Sequence, residues 1–168
     1  MKRTIAALSL CWCSLAAAQT AQELANDGKN PDDVLTLGMD YSRQAHSPLK
    51  QINKSNIRRL VPVWHSSLSN NDGELAQPLV YNGVMYLVNG RWTFAIDIGT
   101  GRQLWRTPVE FDPAVARAAS TGVINRGAAI NNGKLFRATL DAHIIALDRS
   151  EEHTSELQSR LHLVCRLL

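Results

Sequence analysis

The chain is poor in what several large functional classes require. Only three of its 168 residues are cysteines, Cys11, Cys13 and Cys165, and none lies between residues 19 and 148. That stretch therefore has no disulfide framework and no thiolate metal site. No apolar run approaches the length of a membrane-spanning helix. The formal net charge of +3 is too small and too dispersed for a nucleic-acid surface. No phosphate loop, dinucleotide fingerprint or nucleophile elbow occurs. His46, His65 and His143 stand at no metal-ligand spacing and read as ordinary hydrogen-bonded histidines.

What is present is an ordinary globular composition, 45% hydrophobic and 20% charged, with length enough for one domain with a real core. The N-terminus, MKRTIAALSLCWCSLAAAQT, has the pattern of a signal peptide over residues 1–18. Lys2 and Arg3 form the basic start, Ile5 to Leu15 the apolar stretch, and Ala16-Ala17-Ala18 the small-residue cleavage site before Gln19. An exported protein is expected, and Cys11 and Cys13 would leave with the leader.

Residues 20–36 are polar and irregular, with at most a short helix around Ala21–Ala25. The dense segment SPLKQINKSNIRRLVPVW follows. In it Ser55 is placed to cap a short helix with Ile57 and Leu60 on its inner side, and Pro62 forces an extended exit into Val63 and Trp64. Beyond this the pattern is β. GVMYLV and TFAID are strand-sized, rich in β-branched and aromatic residues, and punctuated by Asn82-Gly83 and Gly99-Thr100-Gly101.

The same grammar returns about fifty residues later. YNGVMYLVNGRWTFAID at 81–97 matches NNGKLFRATLDAHIIALD at 131–148, each with Asn-Gly, a strand, a tight turn and a second strand ending in an aspartate. Asn82 to Asp97 spans 15 residues and Asn132 to Asp148 spans 16. Such a period belongs to β-propeller blades. Residues 79–97 and 132–148 are accordingly predicted to form hairpins of successive blades, with Trp105 packed between elements. Asp97, Asp141 and Asp148 read as turn-stabilising residues rather than general bases.

The motifs SPLKQINKSNIRRLVPVW, QPLVYNGVMY, AIDIGTGRQLW, NRGAAI and TLDAHIIALD, in that order, resemble the quinoprotein alcohol dehydrogenases. This family uses pyrroloquinoline quinone (PQQ) and includes methanol and ethanol dehydrogenases. The resemblance covers roughly residues 30–148. It implies an all-β fold, the start of an eight-bladed β-propeller with less than two blades represented. Residues 19–78 would be a lead-in segment and 79–148 the first blades.

The resemblance also implies a site. Arg126, in the N-R-G motif, matches a cofactor-contacting arginine, and a guanidinium fork suits both the carboxylates and the carbonyls of PQQ. Glu74 is a weaker match, because the family's cofactor-binding glutamate falls where Leu75 stands. A one-residue shift reverses the face in a strand but can be absorbed in a loop. Ser120 and Thr121 occupy the place of two adjacent cysteines found in many members, so the ring those form over the quinone cannot form here.

The implied activity is oxidation of a primary alcohol by hydride transfer to PQQ, with electrons passed to a cytochrome c in the periplasm. A calcium or lanthanide ion and an aspartate base complete the family's site, and their residues are expected beyond this stretch. The competing reading is a non-catalytic propeller of the same repeat type, such as an outer-membrane assembly scaffold. It has no reason to keep N-R-G or the lead-in motif.

The end of the chain breaks the pattern. RSEEHTSELQS, at 149–159, resembles the translation of a common sequencing-library adapter, so residues 149–168 are expected to be non-native and to make few contacts with the β body. The other reading is a genuine amphipathic tail from Glu152 to Leu168 with Cys165 free.

Overall fold

The computed structural model describes residues 19–70, 73–118 and 122–149. Residues 1–18, expected to be a signal peptide, Ser120, Thr121 and the tail beyond Arg149 lie outside the described residues. Two antiparallel meanders dominate. The first sheet runs β1 (Leu79–Tyr81), β2 (Val84–Val88), β3 (Trp92–Asp97) and β4 (Gln103–Pro108), in that spatial order. The second runs β5 (Ala129–Asn131), β6 (Lys134–Ala138) and β7 (Ile144–Asp148). Both predicted hairpins are present, the second gaining β5 at its start.

The repeat is written into the turns and the register. Asn82 and Gly83 have φ of 49° and 76°, Asn132 and Gly133 of 46° and 75°. Two successive positive φ values make a two-residue turn whose twist matches the flanking strands, and Asn-Gly tolerates it best. Val84 then pairs with Asp97 in one sheet, and Lys134 with Asp148 in the other. The one-residue difference in spacing sits in the second turn. Val88 pairs with Thr93 across it in the first sheet, whereas Ala138 pairs with Ile144 in the second.

The sheets pack on each other. Tyr86, Ala95 and Trp105 from the first meet Leu135, Ile145 and Leu147 from the second in one buried cluster. Trp105, 8% exposed, stands across from Ala95, and its ring lies 6.1 Å from that of Tyr86. It is packed between elements as predicted. β3 is buried on both faces, with Phe94 wholly enclosed. Burial of such a side chain contributes about 1.5–3 kcal/mol.

The turn from β3 to β4 explains its Gly-rich sequence. Asp97 Oδ1 accepts from the Thr100 amide at 2.8 Å and the Thr100 hydroxyl at 2.7 Å. Gly101 has φ of 73°, and a Cβ there would stand 2.5 Å from the Trp64 ring. Trp64 lies on this glycine and donates its indole N–H to the Ile98 carbonyl at 2.8 Å. The last residue of the lead-in motif is thus its anchor.

Helix α1 (Ala21–Ala25) forms as expected, closed by a reciprocal Thr20–Glu23 capping box. The buried Asp27 carboxylate then accepts from the Leu35 and Thr36 amides, both at 2.8 Å, and Val34 bridges to Val80 beside β1. The middle of the lead-in departs from expectation. Ser55 caps nothing, and Ile57–Arg59 make only a 3-10 turn with Asn56 before it. Ile57 and Leu60 are 53% and 57% exposed rather than inward-facing. A single three-residue turn is too short to build an apolar face of its own.

Arg149, the only described residue of the tail, docks on the β body. Its amide donates to the Gly133 carbonyl at 3.1 Å, and its guanidinium lies 4.5 Å from the Tyr81 ring centre.

Candidate functional site

Asn125-Arg126-Gly127 approaches β5 as an irregular turn that the sequence fixes at both ends. Asn125 donates its side-chain amide to the Ala138 carbonyl at 2.8 Å, and its Oδ1 accepts from the Gly127 N–H at 2.9 Å. Gly127 has φ of 146°, a conformation reserved for glycine. Arg126 between them is exposed, and no carboxylate pairs with it among the described residues. It sits on the rim of an open hollow of about 410 Å³ lined by residues 124–127 and 138–140.

Glu74 stands in a loop before β1, so its one-residue displacement is not governed by strand alternation. Its carboxylate accepts from the Asn89 side-chain amide at 2.9 Å. The two predicted site residues are brought into one neighbourhood through the segments that carry them. A Cβ on Gly73 would lie 3.8 Å from Ile124, and a Cβ on Gly90 would lie 2.2 Å from the Val123 carbonyl oxygen. Gly90, in the turn between β2 and β3, is therefore the one residue type that lets the 122–127 segment pass so close.

Three residues in this neighbourhood escaped the sequence reading: Asn89, Gly90 and Arg137. Asn89 is fully buried and multiply bonded. Its Oδ1 accepts from the amides of Arg91 at 2.9 Å and Trp92 at 2.7 Å, while Nδ2 reaches Glu74. Arg137, on β6, is 2% exposed. Its Nη1 donates to the Trp92 carbonyl at 2.8 Å and the Thr93 hydroxyl at 3.1 Å. Its Nη2 donates to the Asn89 carbonyl at 2.6 Å. Burial lowers Arg137 to about 10, which leaves it a cation at neutral pH. A signal existed: in KLFRATL a charged residue stands two positions from Leu135, on the same inward face.

Elsewhere, Asp141 accepts from the Thr139 hydroxyl and lies 3.0 Å from His143 Nδ1, so both belong to the β6–β7 turn. No group of three His, Cys, Asp or Glu that could hold a metal ion comes together among the described residues. No helix among them is long and apolar enough to cross a membrane.

Comparison with known proteins bears on this arrangement. The family model described as "PQQ: Glucose/ethanol/alcohol dehydrogenase, beta-propeller domain" matches residues 35–154. The chain is 42% identical over 153 residues to a 1-butanol dehydrogenase (quinone) of Thauera butanivorans, covering 87% of this chain and 23% of the relative. It is 38% identical over 151 residues to a quinoprotein ethanol dehydrogenase of Pseudomonas aeruginosa, covering 86% and 23%. Among solved structures, a quinohemoprotein alcohol dehydrogenase from Comamonas testosteroni superposes with a TM-score of 0.73 at 32% identity, over 81% of this chain and 20% of that one. A europium-containing methanol dehydrogenase gives 0.68 at 32% identity, over 76% and 23%. The chain thus spans less than a quarter of the length of these relatives.

Proposed function

The chain belongs to the PQQ family of glucose, ethanol and alcohol dehydrogenases, and from that premise we propose that it is the first propeller segment of an enzyme oxidising primary alcohols. PQQ, when bound, accepts a hydride from the alcohol. Electrons then pass to a cytochrome c, and the enzyme works in the periplasm behind its signal peptide. The role of this segment is to hold the cofactor rather than to supply the base.

The observation that carries the reading is the state of Arg126. Its guanidinium is exposed on a hollow and unpaired with any carboxylate among the described residues, beside a glycine whose φ of 146° leaves the backbone uncovered. A planar tricarboxylate suits that arrangement, because the fork can take a carboxylate in two parallel hydrogen bonds. Glu74, in the adjoining loop, is the second contact in this reading. The ion, calcium or lanthanide, finds no ligand cluster among the described residues, so none of them is assigned to it. The scaffold alternative is weaker, because the N-R-G motif is retained and the relatives named above are dehydrogenases.

The test is a PQQ titration of the full-length dehydrogenase carrying this segment, stripped of cofactor. Arg126→Ala should weaken PQQ binding by about tenfold or more, the scale of one lost charge-assisted hydrogen bond. Unchanged affinity would remove the basis of the assignment.

A further inference from the structure

We propose that Arg137 and Asn89 are positioning residues for the cofactor site, acting across the interface between the two sheets through the β2–β3 turn. The proposal rests on the cofactor reading of Arg126 and Glu74. It starts from an anomaly: the inter-sheet face of β6 carries Leu135 and then, two residues on, a buried guanidinium. Burying a charge without a counter-ion is costly unless its hydrogen bonds are met. None of the described carboxylates pairs with Arg137, and its Nε finds no acceptor. What it does find is one object, the turn over residues 89–93. Four acceptors converge there: the carbonyls of Asn89, Gly90 and Trp92, and the Thr93 hydroxyl.

That turn is where both site segments are seated. Asn89 Nδ2 holds the Glu74 carboxylate at 2.9 Å, while Asn89 Oδ1 closes the turn on the amides of Arg91 and Trp92. Gly90 abuts the Val123 carbonyl, where even a methyl group would stand 2.2 Å away, and three residues on the chain presents Arg126. A shift of the turn therefore moves Glu74 and the approach to Arg126 together. Arg137 fixes the turn from the second sheet. Its own strand ends at Ala138, whose carbonyl receives Asn125 at 2.8 Å. The same strand thus ties the turn on one side and the N-R-G loop on the other.

Three substitutions in the full-length dehydrogenase separate positioning from mere folding. Asn89→Asp keeps the oxygen that closes the turn but removes the donor to Glu74 and sets a second carboxylate beside it. Arg137→Met removes every donor to the turn, and Arg137→Lys keeps the charge and part of the hydrogen bonding. PQQ affinity is measured by titration of the stripped protein, and thermal melting of the same protein reads the fold.

We expect Asn89→Asp to melt lower, because it buries a carboxylate beside Glu74, yet to be fully folded at the titration temperature. There it should bind PQQ about tenfold more weakly, and Arg137→Lys should recover part of the loss seen in Arg137→Met. Should Arg137→Met fail to fold, Asn89→Asp and Arg137→Lys decide alone. Affinity within twofold of wild type in those variants, alongside a weakened Arg126→Ala, overturns the positioning role only. Unchanged affinity in Arg126→Ala overturns the cofactor reading and, with it, the role given to the turn.

Discussion

The two sheets are copies of one pattern, and they differ around the β2–β3 turn that adjoins the candidate site. Their Asn-Gly turns have nearly the same backbone angles, and their first two long strands keep the same register. At the repeat-equivalent positions Leu87 and Arg137, however, one sheet has an aliphatic residue and the other a buried cation. The turns that follow diverge too. Residues 89–92 close around a buried asparagine, and residues 139–143 close around Asp141 and His143. What repeats makes the fold. What departs from the repeat ties the β2–β3 turn to the second sheet.

The largest effect expected from this comparison concerns the pair of sheets taken alone. Each buries one face against the other, and nothing in the pair closes the ring. Val61 and Val63 of the lead-in are 76% and 85% exposed, and Ile52, Ile57 and Leu60 are more than half exposed. Repeat architectures generally need about three units for stability, and open strand edges invite association. Residues 19–148 expressed alone should therefore give no cooperative melting transition and no PQQ-dependent rise in one. A sharp transition that PQQ raises would refute the claim that two sheets are too few.

Next in size is a graded series at glycines. Gly90 and Gly101 each leave no room for a Cβ, at 2.2 Å from Val123 O and 2.5 Å from Trp64. Gly83 shares the positive φ of Gly101, yet nothing lies within 4 Å of a Cβ built on it. In the full-length enzyme Gly101→Ala should cost about 1–3 kcal/mol from overpacking in addition to backbone strain, and Gly90→Ala about the same from overpacking alone. Gly83→Ala should show only the strain, about 1 kcal/mol. Equal losses at Gly83 and Gly101, measured by thermal or denaturant melts, would mean that the Trp64 contact is unimportant.

That series also marks what the sequence could disclose. The strands, their Asn-Gly turns, Trp105 and the turn role of Asp97 were legible, because alternation and turn chemistry are local. Arg126 is singled out only by its motif, since an exposed arginine looks the same in any loop. Asn89 and Arg137 were hidden for another reason. Their meaning lies in partners 44 to 48 residues apart, as in the Arg137 bonds to Thr93 and Asn89, and no local pattern encodes such a meeting. Ile57 and Leu60 were misread as inward-facing because apolar spacing predicts a face only where something packs against it. Trp64, at the end of the same motif, found its glycine; they did not.

The smallest expected effect separates the two turns by pH. In the first sheet the Thr100 hydroxyl and amide bonds hold the Asp97 carboxyl below its usual value of 3.8. In the second, burial pushes Asp141 up, but the Thr139 hydrogen bond and His143 outweigh it and the net direction is again downward. A carboxyl whose folded value lies below its unfolded one gives up its proton more readily in the folded state. Its stabilisation is therefore complete above the unfolded value and is lost as pH falls through the folded one. Both turns should weaken below about pH 4. Asp97→Asn keeps an oxygen for Thr100, so it should leave neutral-pH stability nearly unchanged and flatten the acid limb slightly. Asp141→Asn flattens it too, but it can also set an amide nitrogen where the carboxylate oxygen stands 3.0 Å from His143 Nδ1, and it should lower the melting point somewhat at neutral pH. Melting points of the full-length enzyme between pH 3 and 7 distinguish them. Two variants with the same neutral-pH midpoint would show that His143 contributes nothing to its turn, and an unaltered acid limb in Asp97→Asn would show the same for the Asp97 charge.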